Sequence, residues 1–211
     1  MLFFSWLQRF RQSRGYGVHS PFAFELIRKV LSSHTHYYAF DEITDHLTAN
    51  HPDVRLNLPL HHLSFRLVHH FKAKKILEIH SGYGANTLYL LAPDKDIRCT
   101  CVEERPDRIA IARQLTAERS SQCVMHNQLP GEGLFDAIFI HLGAASPPSL
   151  DSLIHLSHER TFWVIDQVNT PGSKQFWRNI VNDERTGITF DMKERGVVFL
   201  RHTYSKLHYY I

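Results

Sequence analysis

Residues 75–91 read KILEIHSGYGANTLYLL. A short apolar run stops at a glycine-bearing turn, and a helical pattern follows at once. This is the layout of a β-strand that passes into a helix across a ligand-binding turn.

The same rhythm extends downstream. Further strands are expected at IRCTCV (97–102), QCVM (122–125), FDAIFI (135–140) and TFWVID (161–166), with helices starting near Ala85, Pro106, Pro147 and Ser173. Strands alternating with amphipathic segments specify an α/β fold with a doubly wound, mostly parallel, Rossmann-like sheet. The last helix is expected to stop at Gly187. After it, ITFDMKERGVVFLR (188–201) reads as a hairpin whose polar turn contains Gly196, which adds an antiparallel strand. Upstream, residues 1–71 show helical spacing only: Ser20 and Pro21 have the form of a cap and first-turn proline, and Leu60, Leu63, Leu67 and Phe71 make a later stripe. Two segments are therefore expected, 1–71 as a helical lid or oligomerisation segment and 72–211 as the ligand-binding domain.

The chain has 211 residues and is 43% hydrophobic, enough for one full core. Its formal charge of +3 gives no global case for nucleic acid. Cys99, Cys101 and Cys123 form neither a disulfide framework nor a paired zinc spacing, which fits a reducing, cytoplasmic setting and predicts no metal site. Leu2, Phe3, Trp6, Leu7 and Phe10 recur at helical spacing with Arg9, Arg11 and Arg14 beside them; this suits a membrane-surface helix or, the favoured reading, a helix docked on its own domain or a second subunit. No stretch is long enough to span a membrane.

The loop after the first strand separates two cofactor classes. A dinucleotide calls for GxGxxG, and positions 80, 82 and 85 give His80, Gly82 and Ala85, a poor match. S-adenosylmethionine calls for an acid followed by alternate glycines; positions 78, 80, 82 and 84 give Glu78, His80, Gly82 and Gly84, three of four. The candidate cofactor residues are thus Glu78, His80, Ser81, Gly82 and Gly84. Glu103, nineteen residues past Gly84 at the end of the second strand, stands near the ~20 residues expected for a carboxylate that binds a ribose diol, with Glu104 beside it. The competing reading of both acids is that they open the next helix.

Taken together, ILEIHSGYGANTLYL, CVEERPDRIAIARQL, FDAIFIH and FWVIDQV resemble the motifs of the class I S-adenosylmethionine-dependent methyltransferases in order and spacing, and GYGVHSPFAFELI resembles the opening of a largely uncharacterised group of them. The resemblance covers roughly residues 15–201. It implies a seven-stranded sheet with a reversed last strand, S-adenosylmethionine as cofactor, and methyl transfer to a small molecule. Relatives similar to the metal-assisted O-methyltransferases carry an Asp after strand four and an acidic or amide pair after strand five. This chain has His141 at the first place and Asp166 with Gln167 at the second, a set that serves magnesium poorly. His141 is a candidate general base, or a histidine that packs beside the cofactor. Asp166 is a candidate catalytic acid at a strand end, or a loop cap. HLGAASPPSL lacks the acid or amide that precedes paired prolines in amino-group methyltransferases, so oxygen is the favoured acceptor atom, and Pro147 and Pro148 read as helix openers. The alternatives are a lapsed module that binds the cofactor or S-adenosylhomocysteine without transfer, and an NAD-binding oxidoreductase. Three further groups are assigned no role in the chemistry: His61, His62, His69 and His70 are read as solvated surface, Lys72, Lys74 and Lys75 as too few for nucleic acid, and Cys99 with Cys101 as core.

Overall fold

The computed structural model describes residues 10, 12, 17–143, 145–200 and 205–211. Of the apolar stripe expected at the start of the chain, only Phe10 lies among them, and it is exposed.

In chain order the elements are α1 (Pro21–Leu26), α2 (Tyr38–Asn50), α3 (Leu58–Phe71), β1 (Lys75–Ile79), α4 (Ala85–Leu91), β2 (Arg98–Val102), α5 (Pro106–Leu115), β3 (Cys123–His126), β4 (Phe135–His141), α6 (Leu150–His155), β5 (Ser157–Asp166), α7 (Lys174–Asn182), β6 (Ile188–Asp191), β7 (Arg195–Phe199) and β8 (Leu207–Tyr210). The fold is α/β, with an eight-stranded, Rossmann-like sheet in which parallel pairs predominate. The chain divides into two compact units, 35–141, and 1–34 with 142–211.

In the unit 35–141 the strands run in the order β3-β2-β1-β4, all parallel. Ile76, Leu77, Glu78 and Ile79 of β1 are all buried, as a central parallel strand requires. Helices α2, α3 and α4 share a cluster built on Phe40, Leu47, Phe65, Leu88 and Tyr89. The stripe expected on α3 is present, with Leu60, Leu63 and Leu67 nearly inaccessible. Its histidines correct the expectation. His61 is buried and stacks on Tyr89, and the His62 ring lies flat on Phe40 at 3.9 Å; only His69 and His70 are exposed. Desolvation, the Arg66 cation and His36 hold the His62 pKa below its ordinary value, although the nearby Asp41 carboxylate partly opposes them. Lys72 ends α3 in a left-handed conformation, and the Lys74 ammonium pairs with Asp94.

In the other unit the order is β5-β7-β6-β8. Strand β7 runs antiparallel to both β5 and β6, which is the reversed strand expected from the hairpin. Strand β8, parallel to β6, is an addition that the sequence did not announce. The Ser20 hydroxyl caps α1 as expected, accepting the Ala23 N–H. Three local readings need correction. Gly196 sits within β7 and not in the turn: a Cβ there would lie 2.5 Å from Cη2 and 2.8 Å from Cε3 of Trp177, so glycine is required by the indole packed on the strand. Helix α6 begins at Leu150 after the N-cap Ser149, leaving Pro147 and Pro148 in the preceding loop. Helix α7 stops at Asn182, because Asp183 takes an extended backbone there.

Candidate functional site

The turn between β1 and α4 is built on left-handed backbone. His80, Gly82 and Gly84 have φ of 57°, 61° and 85°. Glycine takes this conformation without a Cβ penalty, whereas His80 adopts it at a cost of order 1 kcal/mol. Each glycine has a different reason to be there. A Cβ on Gly84 would press on Ala112 at 3.2 Å, so Gly84 allows α4 and α5 to approach; a Cβ on Gly82 would meet nothing within 4 Å, so Gly82 presents bare backbone to open space.

Two carboxylates hold the turn. Glu103, 3% exposed at the end of β2, accepts the Gly82 N–H at Oε2 (2.9 Å) and the Arg105 N–H at Oε1 (3.1 Å). Each oxygen keeps a lone-pair direction for one further donor. The Arg108 guanidinium, 3.7 Å from Oε2 and over the Tyr83 ring, supplies the compensating charge. The turn is closed by the Ser81 N–H donating to the Val102 carbonyl and the Gly84 N–H to the Ser81 carbonyl, both at 3.1 Å. Glu104 is exposed and lies outside this network of bonds.

Glu78 is wholly buried. Its Oε1 accepts from Asn86 Nδ2 (2.8 Å) and contacts His141 Nε2 (2.9 Å), while Oε2 accepts from Thr87 Oγ1 (2.5 Å). A carboxylate oxygen accepts, so His141 Nε2 is the donor in this contact. Glu78 thereby ties β1, the first turn of α4 and the end of β4 together. The structure brings Glu78, His80, Ser81, Gly82, Gly84, Glu103 and His141 into one unit around the carboxyl ends of β1, β2 and β4. Asp166 ends β5 in the other unit, 4% exposed, with Arg195 Nε 3.2 Å from Oδ1 in a paired strand register.

Sequence reasoning missed Asn86, Thr87 and Arg108. A signal was present: each falls in the first helical turns after a candidate acid or glycine, where side chains face the strand ends. A groove of about 400 Å³ lies between Ile109, Ala110 and Arg113 of α5 and Met125, His126 and Asn127 at the end of β3.

Two buried polar atoms lie at the turn and at the start of α4. Ser81 Oγ and Asn86 Oδ1 are sealed from solvent with no hydrogen-bond partner among the described residues. Buried polar atoms are rarely left so unless a ligand or ordered water meets them.

No family profile and no curated protein sequence matches the chain. Solved structures do. The O-methyltransferase TomG from Streptomyces achromogenes, involved in tomaymycin synthesis and solved with S-adenosylmethionine, matches with a TM-score of 0.57 at 18% identity over 79% of this chain and 91% of that one. An O-methyltransferase from Bacillus cereus in complex with S-adenosylhomocysteine matches with 0.59 at 19% identity over 80% and 93%. A methyltransferase from Podospora anserina bound to S-adenosylhomocysteine matches with 0.61 at 17% identity over 81% and 91%. At such identities the likeness establishes a shared fold.

Proposed function

We propose that the chain is an S-adenosylmethionine-dependent methyltransferase acting on an oxygen atom of a small molecule. The observation that carries this reading is the Glu103–Gly82 hydrogen bond: the acid at the end of β2 holds open a turn whose glycine offers bare backbone to a ligand. The fold shared with methyltransferases solved with this cofactor or its product supports it.

When bound, S-adenosylmethionine supplies an electrophilic methyl group on a sulfonium. The chain's own residues do the rest. Gly82 admits the ligand to the backbone, with Ser81 and Asn86 offering the unpaired polar atoms beside it. Glu103 uses its remaining lone pairs for a ribose diol, and Glu104 stands at the rim. The Arg108 guanidinium, 3.7 Å from Glu103 Oε2, sets a positive charge beside that carboxylate. Glu78 fixes the turn from below and orients His141, the group assigned to take a proton from an acceptor hydroxyl. Asp166, with Arg195 Nε 3.2 Å from its Oδ1, is assigned an electrostatic and positioning role at the end of its own strand. Alignment of acceptor and methyl group carries much of an in-line transfer.

We assign residues 1–71 to a helical cover or subunit contact, and the cytoplasm as the compartment, consistent with free thiols at Cys99, Cys101 and Cys123. Among the described residues no helix is long and apolar enough to cross a membrane.

The test is calorimetry with S-adenosylhomocysteine, S-adenosylmethionine and NAD. Binding of the first two is expected, with Glu103→Ala weakening it by about 1.5–3 kcal/mol through the lost charge-assisted bonds. Binding of NAD alone refutes the reading, and unchanged affinity in Glu103→Ala refutes the assignment of that residue.

A further inference from the structure

We propose that Cys99, Cys101 and Cys123, with the Glu78 carboxylate, form a binding site for one soft divalent metal ion of the zinc and cadmium type. The spacing of these cysteines along the chain resembles no zinc motif, and it is the sheet register that assembles them. Cys99 and Cys101 project from the same face of β2, Cys99 pairs with Cys123 on β3, and Glu78 pairs with Cys101 on β1.

The distances suit one ion. Cys101 Sγ lies 3.5 Å from Cys99 Sγ, 3.5 Å from Cys123 Sγ and 3.7 Å from Glu78 Oε2. Donor atoms of Glu78, Cys99 and Cys101 all fall within 4.8 Å of one another. A tetrahedral zinc ion, with bonds of about 2.3 Å to sulfur and about 2.1 Å to oxygen, holds its donors roughly 3.6–3.8 Å apart. The donors of Glu78, Cys99 and Cys101 thus stand near coordination spacing, and Cys123, whose Sγ lies beside Cys101 but outside that group, completes the set by turning its half-exposed side chain inward. Three sulfurs and one carboxylate select a soft or borderline ion over magnesium or calcium. Cys99 and Cys101 are buried, but Cys123 is partly exposed on the outermost strand of its unit and gives the ion a way in.

Binding exchanges bonds in balance. Each thiol releases its proton to solvent as a metal–sulfur bond forms, and the ion sheds its water ligands. The ion's positive charge offsets the cost of burying thiolates beside Glu78, a cost that keeps the thiols protonated otherwise. Glu78 Oε2 is the oxygen offered, through the lone pair left beside its bond from Thr87 Oγ1, while Oε1 stays with Asn86 and His141. Nothing in this site depends on methyl transfer.

The experiment is titration of the reduced, metal-free full chain with cadmium, following thiolate-to-metal charge-transfer absorption and bound metal by equilibrium dialysis. One cadmium per chain with that absorption is expected, with zinc in excess competing for the same site. Cys101→Ser is expected to weaken binding by at least roughly 10- to 100-fold. If that core variant does not fold, Cys123→Ser, at a partly exposed position, decides with the same expectation. Cadmium bound without thiolate absorption, binding unaltered in the folded variants, or no binding overturns the proposal.

Discussion

The Glu78 carboxylate lies 2.9 Å from Nε2 of His141, a residue sixty-three positions away, and the same Oε1 accepts the Asn86 amide. One buried charge therefore serves β1, β4 and the start of α4. Because it accepts from several donors, the neutral isostere cannot replace it: the amide of Gln turns one acceptor into a donor facing another donor. Glu78→Gln is expected to lower stability by about 1–3 kcal/mol, the range for buried polar groups left unsatisfied. Denaturant unfolding measures this, and a loss within 0.5 kcal/mol, the ~0.5 kcal/mol scatter of surface changes, contradicts the role.

Gly196 carries a tertiary contact. The Trp177 indole that covers it is anchored by Nε1 donating to Asp191 Oδ2 at 3.3 Å, so the ring cannot swing clear without losing that bond. Gly196→Ala is expected to destabilise by about 1–3 kcal/mol through overpacking, and Trp177→Phe in the same chain to recover part of the loss. Tryptophan fluorescence during denaturant unfolding reports both. Equal stability of Gly196→Ala and the parent would show that the ring yields freely.

These two residues also mark where the sequence was legible. KILEI announced itself because a short apolar run ends at a glycine-bearing turn with a helical pattern directly behind it, and its acid and glycines follow at fixed short offsets. Gly196 was misread because glycine usually signals a turn, while its cause here is an indole that local sequence does not reveal. Pro147 and Pro148 had the composition of a helix start, but Ser149 took the cap. His61 and His62 look solvated by residue type and are instead stacked in an aromatic cluster, a long-range outcome of how α3 meets α2 and α4. The site's glycines and acids were local and visible, whereas the Glu78–His141 contact and the thiol cluster depend on strand register. The eighth strand, LHYY, is too short to show a period.

Asp183 gives the fold a defined acid sensitivity. The Arg185 guanidinium, through two side-chain bonds, and the Arg185 backbone N–H pull its pKa down to about 2. A carboxyl whose folded pKa is depressed contributes stability that is complete above its unfolded value of 3.8 and is lost as pH falls towards about 2. Asp183→Asn is therefore expected to destabilise at neutral pH, with the gap to the parent closing between about pH 4 and pH 2. Thermal unfolding of both proteins across that range measures it, and a gap independent of pH would mean that the charge at Asp183 contributes nothing.

His80 is the point at which this chain departs from the glycine expected in the cofactor turn. Its φ of 57° is the conformation glycine would adopt, so the backbone path is retained although the side chain is present. The turn is pinned on both sides of that residue, by Glu78 before it and by the Ser81 and Gly82 N–H bonds after it, which leaves His80→Gly little reason to move the chain. Removing the left-handed penalty gains of order 1 kcal/mol, and losing the imidazole's interactions opposes that gain. Stability is expected to change by less than about 1 kcal/mol. Affinity for S-adenosylhomocysteine is expected to be comparable in parent and variant, since Gly82, Gly84 and Glu103 are untouched. Binding that emerges only in His80→Gly would show that the imidazole fills the space the ligand needs, and that the turn is open in form but closed in this chain.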